Sequence, residues 1–249
     1  MSEKGLVVIT GASSGFGAAT ALRFARLGHP LYLGARRIER LREVAEKCLE
    51  AGAPKAEAQA LDVRSKESIE AFCAGTGTPE ILFNNAGLAL GRDTLDSMKD
   101  EDLLGMVETN VVGLVRVTRA LLPRMIAARR GHVINLGSYA ARGVYEGGAV
   151  YAATKHSVRV ISETLRLELN GTNIRVTEID PGLAETEFSI VRLGDEQKAK
   201  SVYRGLDPLT ADDVADAVVW VATRPPHVNI AELVITPTAQ ASLTKVHRR

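Results

Sequence analysis

The 249-residue chain is predicted to fold as a doubly wound α/β domain, a mostly parallel sheet with helices on both faces. Three observations predict it. Short apolar runs alternate with longer stretches of helical periodicity along the whole chain. A glycine-rich segment, Thr10-Gly11-Ala12-Ser13-Ser14-Gly15-Phe16-Gly17, stands between the first apolar run and the first helical one. No linker, repeat or low-complexity tract breaks the alternation, so a single domain over residues 1–249 is expected.

The first strand is read at Leu6–Ile9, a continuous apolar run of the kind buried on both faces. The glycines that follow tolerate positive φ and carry no Cβ, so backbone N–H groups of Gly11, Ser13, Ser14, Gly15, Phe16 and Gly17 can close around a pyrophosphate. The amphipathic stretch Ala18–Leu27 aims the positive end of a helix at the same point. Turns of this kind also join strands to helices without any ligand. Its position directly after a strand and before a helix is what points to a dinucleotide. Further strands are read at Leu31–Ala35, Ala56–Leu61, Ile81–Phe83, His132–Leu136, Ile174–Ile179 and Leu233–Thr236. Helices are read at Ile38–Ala51, Asp102–Arg129, Ala149–Asn170 and Ala211–Ala222. Right-handed crossovers then give a parallel sheet, whose ligands sit beyond the carboxyl ends of the strands.

The residues that end those strands are therefore the candidates. The second strand runs into Arg36-Arg37, where an acidic residue would otherwise hold the ribose hydroxyls of NAD. Guanidinium groups pair with a 2′-phosphate and a carboxylate repels it, so NADP is expected; the alternative is two solvated arginines at a helix start. Asp62-Val63 closes the third strand, either to meet the adenine or, through Asp62, to cap the next helix. Asn85, Ala86 and Gly87 after the fourth strand bring small, backbone-rich groups towards the cofactor, or form a simple turn.

Tyr151 and Lys155 stand four apart on a predicted helix, hence on one face. Bringing a phenol from its ordinary value near 10 towards 7 requires about 4 kcal/mol. One ammonium at about 4 Å supplies that order of energy at an effective dielectric near 20. Lys155 is thus expected to make Tyr151 a usable general acid or base. Ser138, just past the fifth strand, can hold a substrate oxygen. The rival role of nucleophile lacks the Gly-x-Ser-x-Gly elbow, the local run being Leu136-Gly137-Ser138-Tyr139.

Composition limits the rest. With 31 basic against 30 acidic residues, no nucleic-acid or membrane partner is expected. The terminal Lys245, His247, Arg248 and Arg249 read as a short solvated tail. Cys48 and Cys73 lack metal-like spacing and read as half-buried thiols of a reducing compartment. The five histidines show no zinc spacing, so no metal is expected. With no leader and no apolar run of spanning length, a cytoplasmic protein is expected.

Taken in order, Thr10–Gly17, Asn84–Gly87, Asn110, Ser138, Tyr151-Ala-Ala-Thr-Lys155 and Pro181-Gly182 with Thr186 resemble the short-chain dehydrogenase/reductase family over essentially the whole chain. The resemblance implies a Rossmann-type sheet, Tyr151 as general acid/base, Ser138 polarising the reacting oxygen, and Lys155 lowering the tyrosine pKa while holding the nicotinamide ribose. It further implies that Asn110 anchors a relay water, that Asn85 and Pro181, Gly182 and Thr186 contact the cofactor, and that the chain forms a homotetramer. A closer resemblance, carried by Asn84–Gly91, Thr186–Ser189 with Val191-Arg192, Leu209–Ala215 and Pro237–Gln240, is to the NADP-dependent 3-hydroxy acid dehydrogenases that act on L-serine and L-allo-threonine. It implies a small hydroxy-acid substrate. Arg192 is the candidate clamp for its carboxylate, with Arg142 second. The run Tyr145-Glu146-Gly147-Gly148-Ala149, on the substrate side, departs from that group at Glu146 and Ala149, as does Val144. Two other readings stay open: an NADPH-dependent reductase of an uncharged ketone or aldehyde, and a non-catalytic NADP(H)-binding sensor.

Overall fold

Seven strands line up in one sheet in the order β3-β2-β1-β4-β5-β6-β7 in the computed structural model, which describes residues 4–249. They are β1 (Val7–Thr10), β2 (Leu31–Ala35), β3 (Ala56–Ala60), β4 (Ile81–Asn84), β5 (Gly131–Leu136), β6 (Ile174–Pro181) and β7 (Glu232–Ile235), and every pairing is parallel. Each expected strand is found within two residues of its reading. The order reverses between β1 and β4, which opens a crevice at their carboxyl ends.

Alternation along the strands feeds two cores, one on each face. Val7 and Ile9 point to the side of α1 (Gly15–Arg26), α2 (Ile38–Glu50) and α9 (Ala211–Ala222), where Phe24, Leu41, Val214 and Val218 are buried. Val8 points the other way and joins Phe72 of α3 (Lys66–Gly75) with Leu121 and Met125 of α5 (Leu114–Ala128). Cys48 and Cys73 lie fully inside these cores rather than half-buried, and burial pushes both thiols up to about 11.

The helix expected over 102–129 is found over residues 100–128, but not as one regular α-helix. It consists of α4 (Asp100–Val107), a π-helical turn over Glu108–Gly113 and α5. Asn110 accounts for the break: its Oδ1 accepts the Leu88 N–H and its Nδ2 donates to the Leu88 carbonyl, both at 2.8 Å. Those bonds tie the turn to the loop after β4 and stretch the helical ladder at that point. Beyond it lie a 3₁₀ turn over Tyr139–Arg142, α6 (Ala149–Glu168), and two short helices that periodicity did not single out, α7 (Glu187–Leu193) and α8 (Glu196–Val202). Among the described residues no helix is long and apolar enough to cross a membrane.

Candidate active site

A cavity of about 850 Å³ occupies the crevice, lined by Gly11, Ser13–Phe16, Arg36, Arg37, Asp62, Val63, Asn85–Gly87, Ser138, Tyr145, Tyr151, Lys155, Pro181, Gly182, Thr186 and Arg192. Of the candidate site residues read from the sequence, Gly17, Asn110 and Arg142 do not line it.

On one side the glycine loop folds against β4. Gly11 has φ +67°, and a Cβ there would stand 2.9 Å from Ala86 Cα. A Cβ on Gly17 would come within 2.6 Å of Asn85 Nδ2. Asn85 Nδ2 donates to the carbonyls of Thr10 (2.9 Å) and Gly11 (3.0 Å), so its amide clamps the loop. Ser14 is the N-cap of α1 but makes no capping hydrogen bond, which leaves the first N–H groups of the helix without a side-chain acceptor. A diphosphate fits that cradle. The Ser14 hydroxyl instead accepts from Arg37 Nη2 at 2.6 Å, and Arg37 also pairs with Glu187 at 2.8 Å. Arg36 is exposed on the cavity rim. Two guanidiniums beside two serine hydroxyls fit the 2′-phosphate that the sequence led us to expect. Asp62 is not the cap of α3; Ser65 is, and Asp62 pairs with Arg64 at 3.0 Å.

On the other side, α6 presents Tyr151 and Lys155. The Lys155 ammonium is buried, donates to the Leu136 carbonyl at 2.8 Å and lies 5.9 Å from the centre of the Tyr151 ring. Burial drives Tyr151 up to about 12, although the Ser138 hydroxyl and the Arg192 charge pull it down. Burial also lowers Lys155, to about 8, with Asp180 and Glu178 holding it up. The expectation that Lys155 would draw the phenol towards neutrality is therefore corrected. Burial of the phenol outweighs the groups that lower it, and burial of the ammonium outweighs the carboxylates that raise it. Asn110 sits behind Gly87, where a Cβ would stand 3.3 Å from its Oδ1 and 3.6 Å from Lys155 Nζ. Asn110 Nδ2 also donates to Thr154 Oγ1 at 3.1 Å, which fixes the turn against α6.

Helix α7 covers this floor. Thr186 caps it, Phe188 lies 5.7 Å ring to ring from Tyr151, and Arg192 closes its last turn. Arg192 donates to the Gly91 carbonyl and to the Tyr145 hydroxyl, both at 3.1 Å, and sits 5.6 Å from both the Tyr145 and Tyr151 ring centres. No acidic side chain pairs with it among the described residues. Arg142, by contrast, is engaged by Asp180 at 2.7 Å and Glu232 at 2.5 Å, which removes it as a carboxylate clamp.

The C-terminal segment also departs from the reading of a solvated tail. Gln240 bridges to Val246, the Arg248 side chain donates to the carbonyls of Arg204 and Val202, and Arg249 pairs with Asp207. Leu243, Thr244, Val246 and Arg248 line the cavity. These wall residues were not found from the sequence; the one signal was that the resemblance ran on through Gln240. Arg248 looked like a loose charge because the carbonyls it meets are far away in sequence.

A glycine cradle at the switch point, a Ser–Tyr–Lys cluster facing it and a π turn bearing Asn110 define the chain's class. It belongs to the short chain dehydrogenase family, whose model matches residues 5–197. It is 45% identical over 251 residues to the NADP-dependent 3-hydroxy acid dehydrogenase YdfG of Escherichia coli (strain K12), covering 98% of this chain and 100% of that protein. It is also 45% identical over 241 residues to the sulfoacetaldehyde reductase of Chromohalobacter salexigens, 94% of each being covered. Among solved structures, the closed form of serine dehydrogenase complexed with NADP+ matches with a TM-score of 0.91 at 45% identity, over 98% of this chain and 100% of that one.

Proposed function

We propose that this chain moves a hydride between C3 of a small 3-hydroxy acid and the nicotinamide of NADP, as a single dinucleotide-binding and catalytic domain. The observation that carries the substrate class is Arg192, a guanidinium with no carboxylate partner, held over Tyr151 beside the reacting groups. The loop Gly11–Gly17 with Asn85–Gly87, Asp62-Val63 and Pro181–Thr186 forms the cofactor wall, and Arg36 with Arg37 favours NADP over NAD. Ser138 Oγ holds the reacting oxygen. Tyr151 Oη takes the alcohol proton in oxidation and returns it in reduction. Lys155, charged below about pH 8, stabilises the phenolate that oxidation requires. Asn110 supports the proton path from behind Gly87, next to the ammonium.

The test is the NADP-linked absorbance change with purified protein. L-Serine, L-allo-threonine and 3-hydroxyisobutyrate are expected to turn over with NADP and at least tenfold more slowly with NAD. Activity confined to uncharged ketones and aldehydes would make this a carbonyl reductase, and an anionic aldehyde would keep the role of Arg192. NADP(H) binding without any turnover would leave a sensor.

The same reading makes the protein a cytoplasmic homotetramer. Exposed Val115 and Ile126 on α5 and Val160 and Leu167 on α6 support it, since apolar side chains on long helices favour packing between subunits. Light scattering is expected to give four times the 26.7 kDa chain mass, and a monomer would refute it.

A further inference from the structure

Two buried carboxylates lie behind the reacting groups, and nothing in the reaction above uses them. Glu178 and Asp180 on β6 are both 0% exposed. They flank Ile179, so their side chains leave the strand on the same face. The Ile179 carbonyl accepts the Gly137 N–H at 2.8 Å, which lays the strip Leu136-Gly137-Ser138 across them. A Cβ on Gly137 would collide with Asp180 Oδ1 and stand 2.6 Å from Glu178 Oε1, so glycine is what lets the strip pass.

Asp180 grips both ends of the turn that follows. Its Oδ1 accepts the Ser138 N–H at 2.9 Å and its Oδ2 accepts Arg142 Nε at 2.8 Å. Ser138 Oγ in turn accepts the Ala140 N–H at 3.1 Å, so the hydroxyl offered to substrate is placed by a turn that Asp180 anchors. The same strip is held from the other side by the Lys155 ammonium on the Leu136 carbonyl. Neither oxygen of Glu178 meets a hydrogen-bond donor among the described residues. A buried bare carboxylate is costly, and a proton on Glu178, given to Asp180, relieves it. Burial, reinforced by the Asp180 charge, pushes the Glu178 carboxyl up to about 8. The other charges around the pair are Arg142, Glu232 of β7 with Arg159 and Arg166 of α6 against it, and Lys155 beside Tyr151.

We propose that Asp180 is a positioning residue, setting the Ser138 hydroxyl for proton transfer through the turn it anchors, with Glu178 as the protonated partner that keeps the pair singly charged. This rests on the roles given above to Ser138, Tyr151 and Lys155.

Asp180→Asn keeps an acceptor for the Ser138 N–H and removes the charge; Asp180→Ala removes both. Both variants are expected to bind NADPH as the wild type does in a fluorescence titration. The Asp180 charge holds the Tyr151 phenol up, so in Asp180→Asn the rising limb of kcat/KM for oxidation moves to lower pH. In Asp180→Ala, kcat also falls by about 10²-fold, the scale of losing one aligned hydrogen-bonding group at a reacting oxygen. A wild-type pH profile in Asp180→Asn, or a loss in Asp180→Ala confined to NADPH affinity, overturns the proposal. Thermal melting of Glu178→Gln gives a readout free of turnover. A carboxyl raised in the folded state contributes stability that is full below its unfolded value and lost as pH rises through its folded value. The wild type should therefore lose several degrees of Tm relative to Glu178→Gln between pH 5 and pH 8, then run parallel. A gap that does not change with pH overturns the protonated partner. Absence of turnover by the wild type with every acid and carbonyl would count against the function itself, and the melting result would then decide the pair on its own.

Discussion

Tyr151→Phe is expected to lower kcat by about 10²–10⁴-fold in both directions, the span that a positioned general acid or base contributes. The substitution keeps the ring that meets Phe188 and Arg192, so NADPH affinity and folding should stay at wild-type values. Only the hydroxyl goes. Because burial holds the phenol up to about 12, Tyr151 carries its proton through the neutral range and is ready to act as the acid in carbonyl reduction. As the base in oxidation it must first lose that proton, so wild-type oxidation climbs with pH until Lys155 loses its charge near pH 8, and Tyr151→Phe should flatten the climb. In reduction, wild-type kcat/KM should stay level to about pH 8 and decline beyond, where Lys155 loses its charge. Stopped-flow absorbance at a series of pH values checks both limbs. Undiminished turnover in the variant would remove Tyr151 from the mechanism.

Arg192→Ala should raise KM for hydroxy acids by about 30-fold or more, since truncating one partner of a close charge pair costs roughly 2–5 kcal/mol. The effect should fall on KM more than kcat, because the substrate's carboxylate keeps its charge throughout the reaction. Uncharged carbonyls should show little change. Arg192→Lys should recover part of the loss: an ammonium keeps the charge but not the planar pair of donors. Equal losses for charged and uncharged substrates would show that Arg192 acts by holding Tyr145 and the Gly91 loop in place.

Much of the fold was legible because its signals are local. Strands such as Val7–Thr10 and Leu31–Ala35 are apolar runs, and α1 follows a glycine turn that announces it. The residues that line the crevice were legible for the same reason, most of them closing a strand. What escaped depends on partners remote in sequence. The π turn at Asn110 is fixed by Leu88, the placement of Ser138 by Asp180, and the fold of the terminal segment by carbonyls of Val202 and Arg204. Arg142 and Arg192 look alike as isolated letters. Their difference lies in Asp180 and Glu232, which surround one and not the other. Tyr151 and Lys155 were found by their spacing, but the direction of their pKa shifts was not, because burial is a property of the whole chain.

The wide turn at Glu108–Gly113 has a consequence for how the chain tolerates changes in length. A π turn is an α-helix carrying one surplus residue, and each residue advances a helix by about 100°. Removing a single residue just before Asn110 would let α4 run into α5 as a regular helix. It would also swing the Asn110 side chain about 100° off the Leu88 backbone. The helix would become smoother and the site poorer, so selection for regular secondary structure and selection for function pull this segment in opposite directions.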